Sequence, residues 1–176
     1  QTDRRVARTR RELLRALGEL LEEKGFDAIA VSEIADRADI NRATFYRHYE
    51  DKQDLLQRGI DQLIDDIVTR LDKEAARAQS VRERISVLFA EIEKNFATYR
   101  PFFGPHAPPE FAVRFEERVS RYLFKQRLLP FVEQDVPHEM LMLISRMTTG
   151  VLTAVLSGWV RDTPGKPHGE IAGAYL

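Results

Sequence analysis

The chain contains no cysteine among its 176 residues. A disulfide, a thiol nucleophile and a thiolate metal ligand are therefore excluded, and so is any sensor that works by cysteine oxidation. The charges nearly cancel, since 27 lysines and arginines are balanced by 28 acidic residues, which gives a net charge of -1. No global basic field marks the protein as a nucleic-acid binder, so any such signal has to be local.

Long apolar runs are also missing. None approaches the ~18 residues of a membrane span, and the first residues are rich in arginine, so we expect a cytoplasmic protein with no membrane segment. Strand-type alternation, internal repeats and low-complexity tracts are absent too, whereas 43% of the residues are hydrophobic. The sequence predicts a folded, all-helical protein. The sequence starts without methionine and stops within a helical pattern, so it leaves open whether both ends are complete.

The most informative feature present is a helix-turn-helix pattern over residues 31–52. Asn41 is placed to cap the second helix through its side-chain oxygen. Phe45 and Tyr49 are spaced i and i+4, which predicts that both face the core. The apolar contacts of the first helix and of the turn are assigned to Ile34, Ala35, Ala38 and Ile40.

The rest of the second helix is left to point away from the core. These residues offer hydrogen bonds to base edges and phosphates, although a solvated helix face is the simpler alternative. They are Arg42, Ala43, Thr44, Tyr46, Arg47 and His48.

A basic stripe precedes this motif. The arginines lie opposite a leucine face on the predicted first helix, at Arg4, Arg8, Arg11 and Arg15. We expect Arg4, Arg5 and Arg8 to contact phosphates, because basic arms beside such motifs commonly reach DNA. For Arg15 a phosphate contact and a solvated position are equally good interpretations.

Residues 43–49 read Ala-Thr-Phe-Tyr-Arg-His-Tyr and are followed by Lys52 and a leucine-rich helix. This pattern resembles that of the TetR family of transcriptional regulators, densely over residues 8–56 and beyond them only in helix order and length. Asp39 and Ala43 stand where the family often has glycine. Aspartate tolerates a positive φ, so the turn can form, and the Ala43 methyl bears on which operator is read.

The resemblance implies an N-terminal three-helix helix-turn-helix DNA-binding domain over residues 1–51. A helical ligand-binding and dimerisation domain follows over residues 52–176. It also implies a regulator, by default a repressor, that binds a palindromic double-stranded DNA operator as a homodimer. Release by a small apolar or aromatic effector is expected, and no metal or other cofactor is implied.

By the same resemblance, Arg42, Ala43 and Arg47 are expected to meet base edges. The residues expected to contact phosphates are Ser32, Thr44, Tyr46, His48 and Lys52. Phe45 and Tyr49 are expected to be structural.

Helical spacing beyond the motif predicts a helix of roughly 25 residues after Asp51 and another that runs without a gap from Val81 to Tyr99. Prolines break the stretch over residues 100–110, and helix then resumes to about residue 130. A last long helix is predicted from about residue 137 to 160. Residues 162–169 read as a loop, and residues 169–176 as the opening of a further helix.

Aromatic residues are concentrated in this second half. A plain core is the more economical interpretation of any single one, but the resemblance implies an effector pocket between these helices. Its lining is predicted at Phe96, Tyr99, Phe103, Phe115, Tyr122 and Met147. Polar contacts to the effector are predicted at His106, Arg146, Thr148 and Thr149.

The last long helix is expected to form the dimer interface with its successor, through a face that includes Leu141, Val151 and Trp159. Two alternatives compete with a DNA-binding regulator. An enzyme is disfavoured because the histidines are scattered and no metal-ligand spacing or glycine-rich phosphate loop occurs. A helical protein-binding module is disfavoured by the intact polar face of residues 42–48.

Overall fold

A computed structural model describes residues 2–75, 81–125 and 137–162. These residues form eight α-helices, one 3-10 turn and no strand, which confirms the all-helical prediction. The helices are α1 (Thr2–Glu23), α2 (Val31–Arg37), α3 (Arg42–His48), α4 (Lys52–Ala75), α5 (Val81–Lys94), α6 (Phe96–Phe103), α7 (Pro109–Lys125) and α8 (His138–Asp162); the 3-10 turn is Phe26–Ala28. The predicted loop at residues 162–169 and helix at 169–176 lie outside the described residues, apart from Asp162.

Helices α1, α2 and α3 pack into one three-helix unit. The leucines of α1 are spaced so that Leu13, Leu17 and Leu21 are fully buried on one side of the helix. Ile34 of α2 and Phe45 of α3 are fully buried against them. Tyr49 is 7% exposed, so the predicted structural role of Phe45 and Tyr49 is confirmed.

The turn between α2 and α3 follows the prediction residue by residue. Asp39 has φ of 54°, the left-handed conformation that aspartate tolerates better than most residues. The Ile40 amide donates to the Ala35 carbonyl at 3.0 Å, which closes the turn. Asn41 Oδ1 accepts from the Thr44 amide at 2.7 Å and so caps α3. The entry angle of α3 is therefore fixed by local hydrogen bonds.

Helix α4 leads from this three-helix unit into the rest of the chain. Asp51 caps it by accepting from the Asp54 amide at 2.8 Å, while Asp54 accepts from the Glu50 amide at 3.1 Å. Its 24 residues span about 36 Å at 1.5 Å per residue. The helix packs against α1 as well as against α5 and α7. The domain boundary at residues 51–52 stays a prediction.

The predicted continuous helix from Val81 to Tyr99 is wrong, because α5 ends at Lys94 and α6 begins at Phe96. Asn95, between them, has φ of −116° and ψ of 33°. Its side-chain amide donates to the Glu91 carbonyl at 3.2 Å and to Glu91 Oε1 at 2.7 Å. Asparagine competes in this way for backbone groups that a continuous helix would use.

The predicted break over residues 100–110 is confirmed at residues 104–108, which are not helical, but it begins later than Arg100 because α6 continues through Pro101 to Phe103. Pro101 is buried, and it lies against Gly18 of α1, where an added Cβ would be 3.4 Å from the proline ring. This tertiary packing holds a proline inside a helix of only eight residues.

Helix α8 has a buried side and an exposed apolar side. Ser145, Thr149 and Leu156 are fully buried on the first. The second, which we call the α8 stripe, consists of residues at helical spacing that are each more than half exposed: Met140, Leu143, Met147 and Val151. Trp159 is predicted on the same face as Val151, but it is 4% exposed and packs against Phe89 and Phe96.

By length and composition alone, residues His138–Arg161 would be apolar enough to cross a membrane. The expectation that no segment comes near this threshold is therefore corrected. Core helices of soluble proteins meet the same criterion. One side of α8 packs on α7 and α6.

Candidate DNA interface and effector region

Helix α3 presents its predicted reading face to solvent. Arg42, Ala43 and Arg47 are exposed, and Tyr46 is 50% exposed. Phe45 lies on the opposite side with no exposure, which anchors the helix to the core. The Tyr46 ring packs edge-on against the Phe45 ring, with 5.4 Å between centroids. The seven-residue helix is thus held from behind while four side chains point outward.

The two α3 arginines differ in how they are held. Arg47 donates from Nη2 to Thr44 Oγ1 at 2.9 Å, which orients its guanidinium along the exposed face. Arg42 has no acidic partner in the described part of the chain. Both guanidiniums retain donors suited to guanine O6 and N7. Half-buried Thr44 supports Arg47 in this arrangement.

His48 ends α3 beside α1. Partial burial lowers the pKa of His48 from its ordinary value of 6.5, and the positive charges of Arg10 and Arg47 lower it further. The uncharged form of this imidazole is therefore favoured relative to that of an exposed histidine. Because Arg10 lies on α1 and Arg47 on α3, the two helices together form a positively charged region around His48.

Lys52 is held differently from the prediction. Its ammonium donates to three backbone carbonyls, those of Phe26 at 3.1 Å, Asp27 at 3.0 Å and Ile29 at 2.8 Å. It also lies 4.8 Å from the centroid of the Phe26 ring. An ammonium has three N–H donors, and all three are used here, so Lys52 has no free N–H donor for the predicted phosphate contact. Lys52 instead ties the start of α4 to the loop between α1 and α2.

Ser32 is the second residue of α2 and is half-buried. The start of this helix is fixed by Glu33, whose carboxylate accepts from the Ala30 amide at 2.8 Å and from Lys24 at 2.6 Å. A phosphate contact by Ser32 remains a prediction.

The predicted effector-lining residues fall into two aromatic clusters. Between α6 and α7, Phe103 packs edge-on against Phe111 and Phe115 at centroid distances of 4.9 and 5.4 Å. Phe96 instead belongs to a cluster with Phe89 and Trp159. Phe111 and Trp159 also belong to these clusters but are not among the predicted lining residues. The i, i+4 spacing of Phe111 with Phe115, and of Trp159 with Val155, could have indicated that each pair shares a helix face.

Tyr99 is 2% exposed and joins a polar network. Its hydroxyl donates to Glu91 Oε1 at 3.4 Å, and the same oxygen accepts from Arg70 and from Asn95. Burial raises the pKa of Tyr99 to about 12, and the charge of Glu91 raises it as well. The phenol is therefore a permanent donor that links α6 to α5 and, through Arg70, to α4.

Met147 does not lie with the other predicted lining residues. Its side chain is 64% exposed on the α8 stripe, because the inward side of α8 is set by Ser145 and Thr149. Tyr122 is half-buried, and Phe115 is fully buried. The prediction for Met147 as pocket lining is therefore not supported.

The predicted polar contacts are also dispersed. His106 is exposed, and Arg146 is 3.8 Å from Glu116 with a side chain that is 66% exposed. Thr148 is half-buried, whereas Thr149 is fully buried and donates to the Ser145 carbonyl at 2.9 Å. Among the residues that the structure describes, no group of histidine and acidic side chains could hold a metal ion.

The fold and the α3 face define a class of protein, the all-helical helix-turn-helix regulators. The family model of the bacterial regulatory proteins, tetR family, matches residues 13–59. The chain belongs to this family. Its named relatives are transcriptional regulators and not enzymes.

Two curated relatives cover most of the chain. The uncharacterized HTH-type transcriptional regulator YxbF of Bacillus subtilis is 31% identical over 134 residues, which are 72% of this chain and 34% of that protein. The HTH-type transcriptional activator FasR of Mycolicibacterium smegmatis is 32% identical over 130 residues, which are 72% of this chain and 59% of that protein. The chain thus spans about a third and about three-fifths of the length of these relatives.

Solved structures share the whole fold. The fatty acid degradation regulator FadR of Bacillus halodurans has a TM-score of 0.71 at 17% identity, with 94% of this chain and 91% of that chain covered. FadR of Bacillus subtilis in complex with stearoyl-CoA has a TM-score of 0.67 at 15% identity, with 93% of each chain covered. These similarities support the fold.

Proposed function

We propose that the protein is a ligand-responsive transcriptional regulator that binds a palindromic operator as a homodimer. The observation that carries the proposal is the reading face of α3, where Arg42, Ala43, Tyr46 and Arg47 are exposed on a helix capped by Asn41 and anchored by Phe45. The tetR family match over residues 13–59 includes this helix. We assign Arg42, Ala43 and Arg47 to base edges.

The phosphate contacts of the motif are assigned to Ser32, Thr44, Tyr46 and His48. Tyr46 is exposed and the other three are half-buried, so their hydroxyls and imidazole could contact phosphates and fix the register of the motif on DNA. Lys52 is left out of this set because three carbonyls occupy its donors.

A homodimer makes sense of a short reading helix. One α3 covers only a few base pairs, whereas two copies about 34 to 36 Å apart read successive major grooves. The α8 stripe offers the contact surface, because Met140, Leu143, Met147 and Val151 place more than half of each side chain in water. An isologous contact of this stripe with its copy buries them.

The proposed effector is a small molecule with a large apolar part. The aromatic clusters around Phe103 and around Trp159 supply the apolar surface for it. Long-chain acyl-CoA is the first class to test, since FadR of the same fold binds stearoyl-CoA. Effector binding would alter operator affinity through α4, which runs from α3 to these clusters.

The family resemblance makes repression the default, but FasR is named an activator. The proposal therefore concerns operator binding, and the position of the operator relative to the promoter decides the sign. Because bacterial DNA lies in the cytoplasm, we propose a cytoplasmic location as part of the same function.

The test is selection of bound duplexes from a random pool by the purified protein. We expect a palindrome with half-sites about one helical turn apart. Arg42→Ala should lower discrimination at one base pair of each half-site by roughly 5- to 150-fold, which corresponds to about 1 to 3 kcal/mol. Arg121→Ala is the matched control, because Arg121 is exposed on α7 and paired with Glu117.

No enriched sequence from a folded protein would contradict DNA reading and favour a protein-binding module. Equal losses at every base pair for Arg42→Ala would contradict its role at base edges.

A further inference from the structure

Sixteen of the arginines whose side chains the structure describes fall into two groups by their partners. Those of the first group each lie within ion-pair distance of a carboxylate. They are Arg15, Arg37, Arg58, Arg70, Arg100, Arg114, Arg118, Arg121 and Arg146. Those of the second group have no acidic partner in the described parts of the chain. They are Arg4, Arg5, Arg8, Arg10, Arg11, Arg42 and Arg47.

The second group lies on only two helices, α1 and α3. Two members lie on α3, and the other five lie on the first three turns of α1, where residues 4–11 contain no acidic residue. All five of these α1 side chains are exposed. Arg15, one turn further along, is paired with both Glu12 and Glu19. The change from unpaired to paired arginines therefore occurs within a single helix.

Unpaired arginines at this density repel one another. Arg4 and Arg8 are spaced i and i+4, and Arg8 and Arg11 i and i+3, so their charges are neighbours on the helix surface. Within the described residues, nine other arginines are paired with carboxylates, whereas these seven have no acidic partner. The physical expectation is an external polyanion that supplies it.

The position of this segment points to the occupant. Helix α1 packs against α3, and Arg10 lies close enough to His48 to influence it electrostatically. Beside α1 is a surface depression of about 550 Å³ that is lined by Arg4, Ala7, Arg8, Arg10, Arg11 and, from α4, Gln62. Four arginines thus line one concave site, and one of them, Arg10, is also near His48 at the end of the reading helix.

We infer that residues 4–11 of α1 form a second DNA-binding element, which holds the phosphate backbone next to the base pairs that α3 reads. This inference rests on the proposed function. The segment is about 10 Å long at 1.5 Å per residue, enough for about three phosphates of one strand. Arg15 is not part of the element, because its guanidinium is occupied by Glu12 and Glu19.

The test compares two triple variants of equal charge. In the first, Arg4, Arg8 and Arg11 are replaced by alanine. In the control, the paired and exposed residues Arg100, Arg121 and Arg146 are replaced by alanine, so both variants lose three positive charges per chain. Affinity for the selected operator is measured by fluorescence anisotropy at several salt concentrations, and helicity by circular dichroism verifies folding.

The first variant should show a shallower salt dependence, with the slope of log K against log salt reduced by about 0.9 for each phosphate that the dimer no longer neutralises. Its sequence preference should stay unchanged, and its hydroxyl-radical footprint should lose protection at positions outside the α3 contacts. Replacement of the same three residues by lysine should restore the slope. The control variant should keep the wild-type slope.

An unchanged slope and footprint in the first variant, with operator binding intact, would overturn the inference while leaving the proposed function in place. Equal losses in both variants would overturn it too, because net charge rather than position would then be responsible. Failure of the wild-type protein to select any duplex would overturn both.

Discussion

Lys52 illustrates how a single residue can match a family motif and still be placed differently. The sequence suggests a phosphate contact, but the ammonium donates to three carbonyls between 2.8 and 3.1 Å away and lies over Phe26. The motif fixes the residue type at the start of α4. It does not fix the path of the preceding loop, which approaches from 23 to 26 residues earlier in the chain.

Lys52→Met is expected to lower the free energy of unfolding by about 1 to 3 kcal/mol, because three carbonyls lose a charged donor while the apolar stem is kept. Urea denaturation followed by circular dichroism measures it. The salt dependence of operator binding should stay as in the wild type. If the Lys52→Met protein instead had wild-type stability and a flatter salt dependence of operator binding, Lys52 would be assigned to a phosphate contact.

His48 provides a pH-dependent readout of the junction between α1 and α3. Partial burial lowers its pKa below 6.5, with further contributions from Arg10 and Arg47. The unfolded chain therefore binds the proton at higher pH than the folded chain does. His48 consequently costs stability as the pH falls through and below 6.5, and has no such effect at higher pH.

Arg10→Gln should raise the pKa of His48 without restoring the ordinary value, because the effect of burial remains. Proton NMR of the imidazole during a pH titration measures the shift. Arg11→Gln is the matched control, since Arg11 is not among the charges that act on His48. A His48 pKa that is identical in wild type and Arg10→Gln would place α1 farther from α3 than the structure does.

At the scale of elements, helix identity could be predicted where apolar spacing and capping agree. Asn41 and Asp51 lie at the starts of α3 and α4, and both cap as their sequence positions indicate. The break at Asn95 could not be read from spacing, because Phe96 and Tyr99 keep the apolar period across it. Pro101 has the opposite effect, because a proline predicts the end of a helix, whereas α6 continues through it. Pro101 packs against Gly18, a residue distant in sequence, so its place inside the helix could not be predicted from the local sequence.

The candidate site also has one part that could be predicted from the sequence and one part that could not. The exposed face of α3 could be predicted because a short capped helix with Phe45 inward leaves only one orientation for Arg42 and Arg47. The effector region could not, since it depends on how α6, α7 and α8 are rotated about their axes. The predictions for Met147 and Trp159 place them on the wrong sides of α8 for this reason.

Helices α4 and α7 are joined by two ion pairs, one helical turn apart on each helix. Arg114 donates to Asp61 at 2.9 Å, and Arg118 pairs with Asp65. These side chains are about a third to a half exposed, so each pair is worth about 0 to 1 kcal/mol. The pairs join the helix that begins at α3 to the helix that carries Phe111 and Phe115.

Replacing both Arg114 and Arg118 by glutamine should therefore lower the free energy of unfolding by at most about 2 kcal/mol at low salt. The difference from wild type should shrink in about 1 M sodium chloride, where the Debye length is about 3 Å. Urea denaturation at the two salt concentrations measures it. A loss of the same size at both would assign the effect to packing of the arginine stems instead of charge.

For the whole molecule, the proposed reading of a palindromic operator requires a second copy of the chain. The α8 stripe leaves Met147 64% and Val151 66% exposed on a helix whose other side is buried. Met147→Glu would place a charge in the centre of the proposed interface. The same substitution in the two-fold related copy would place a like charge nearby. Desolvation of two carboxylates opposes association.

Met147→Glu should therefore be monomeric by analytical ultracentrifugation at concentrations where the wild type is a dimer. Its circular dichroism should stay helical, because Met147 is mostly solvent-exposed within one chain. Affinity for the full palindrome should fall to that for a single half-site, while base preference within the half-site is retained. Glu83→Gln is a suitable control for a charge change on a different helix. A dimeric Met147→Glu protein with wild-type operator affinity would mean that another surface pairs the two reading helices.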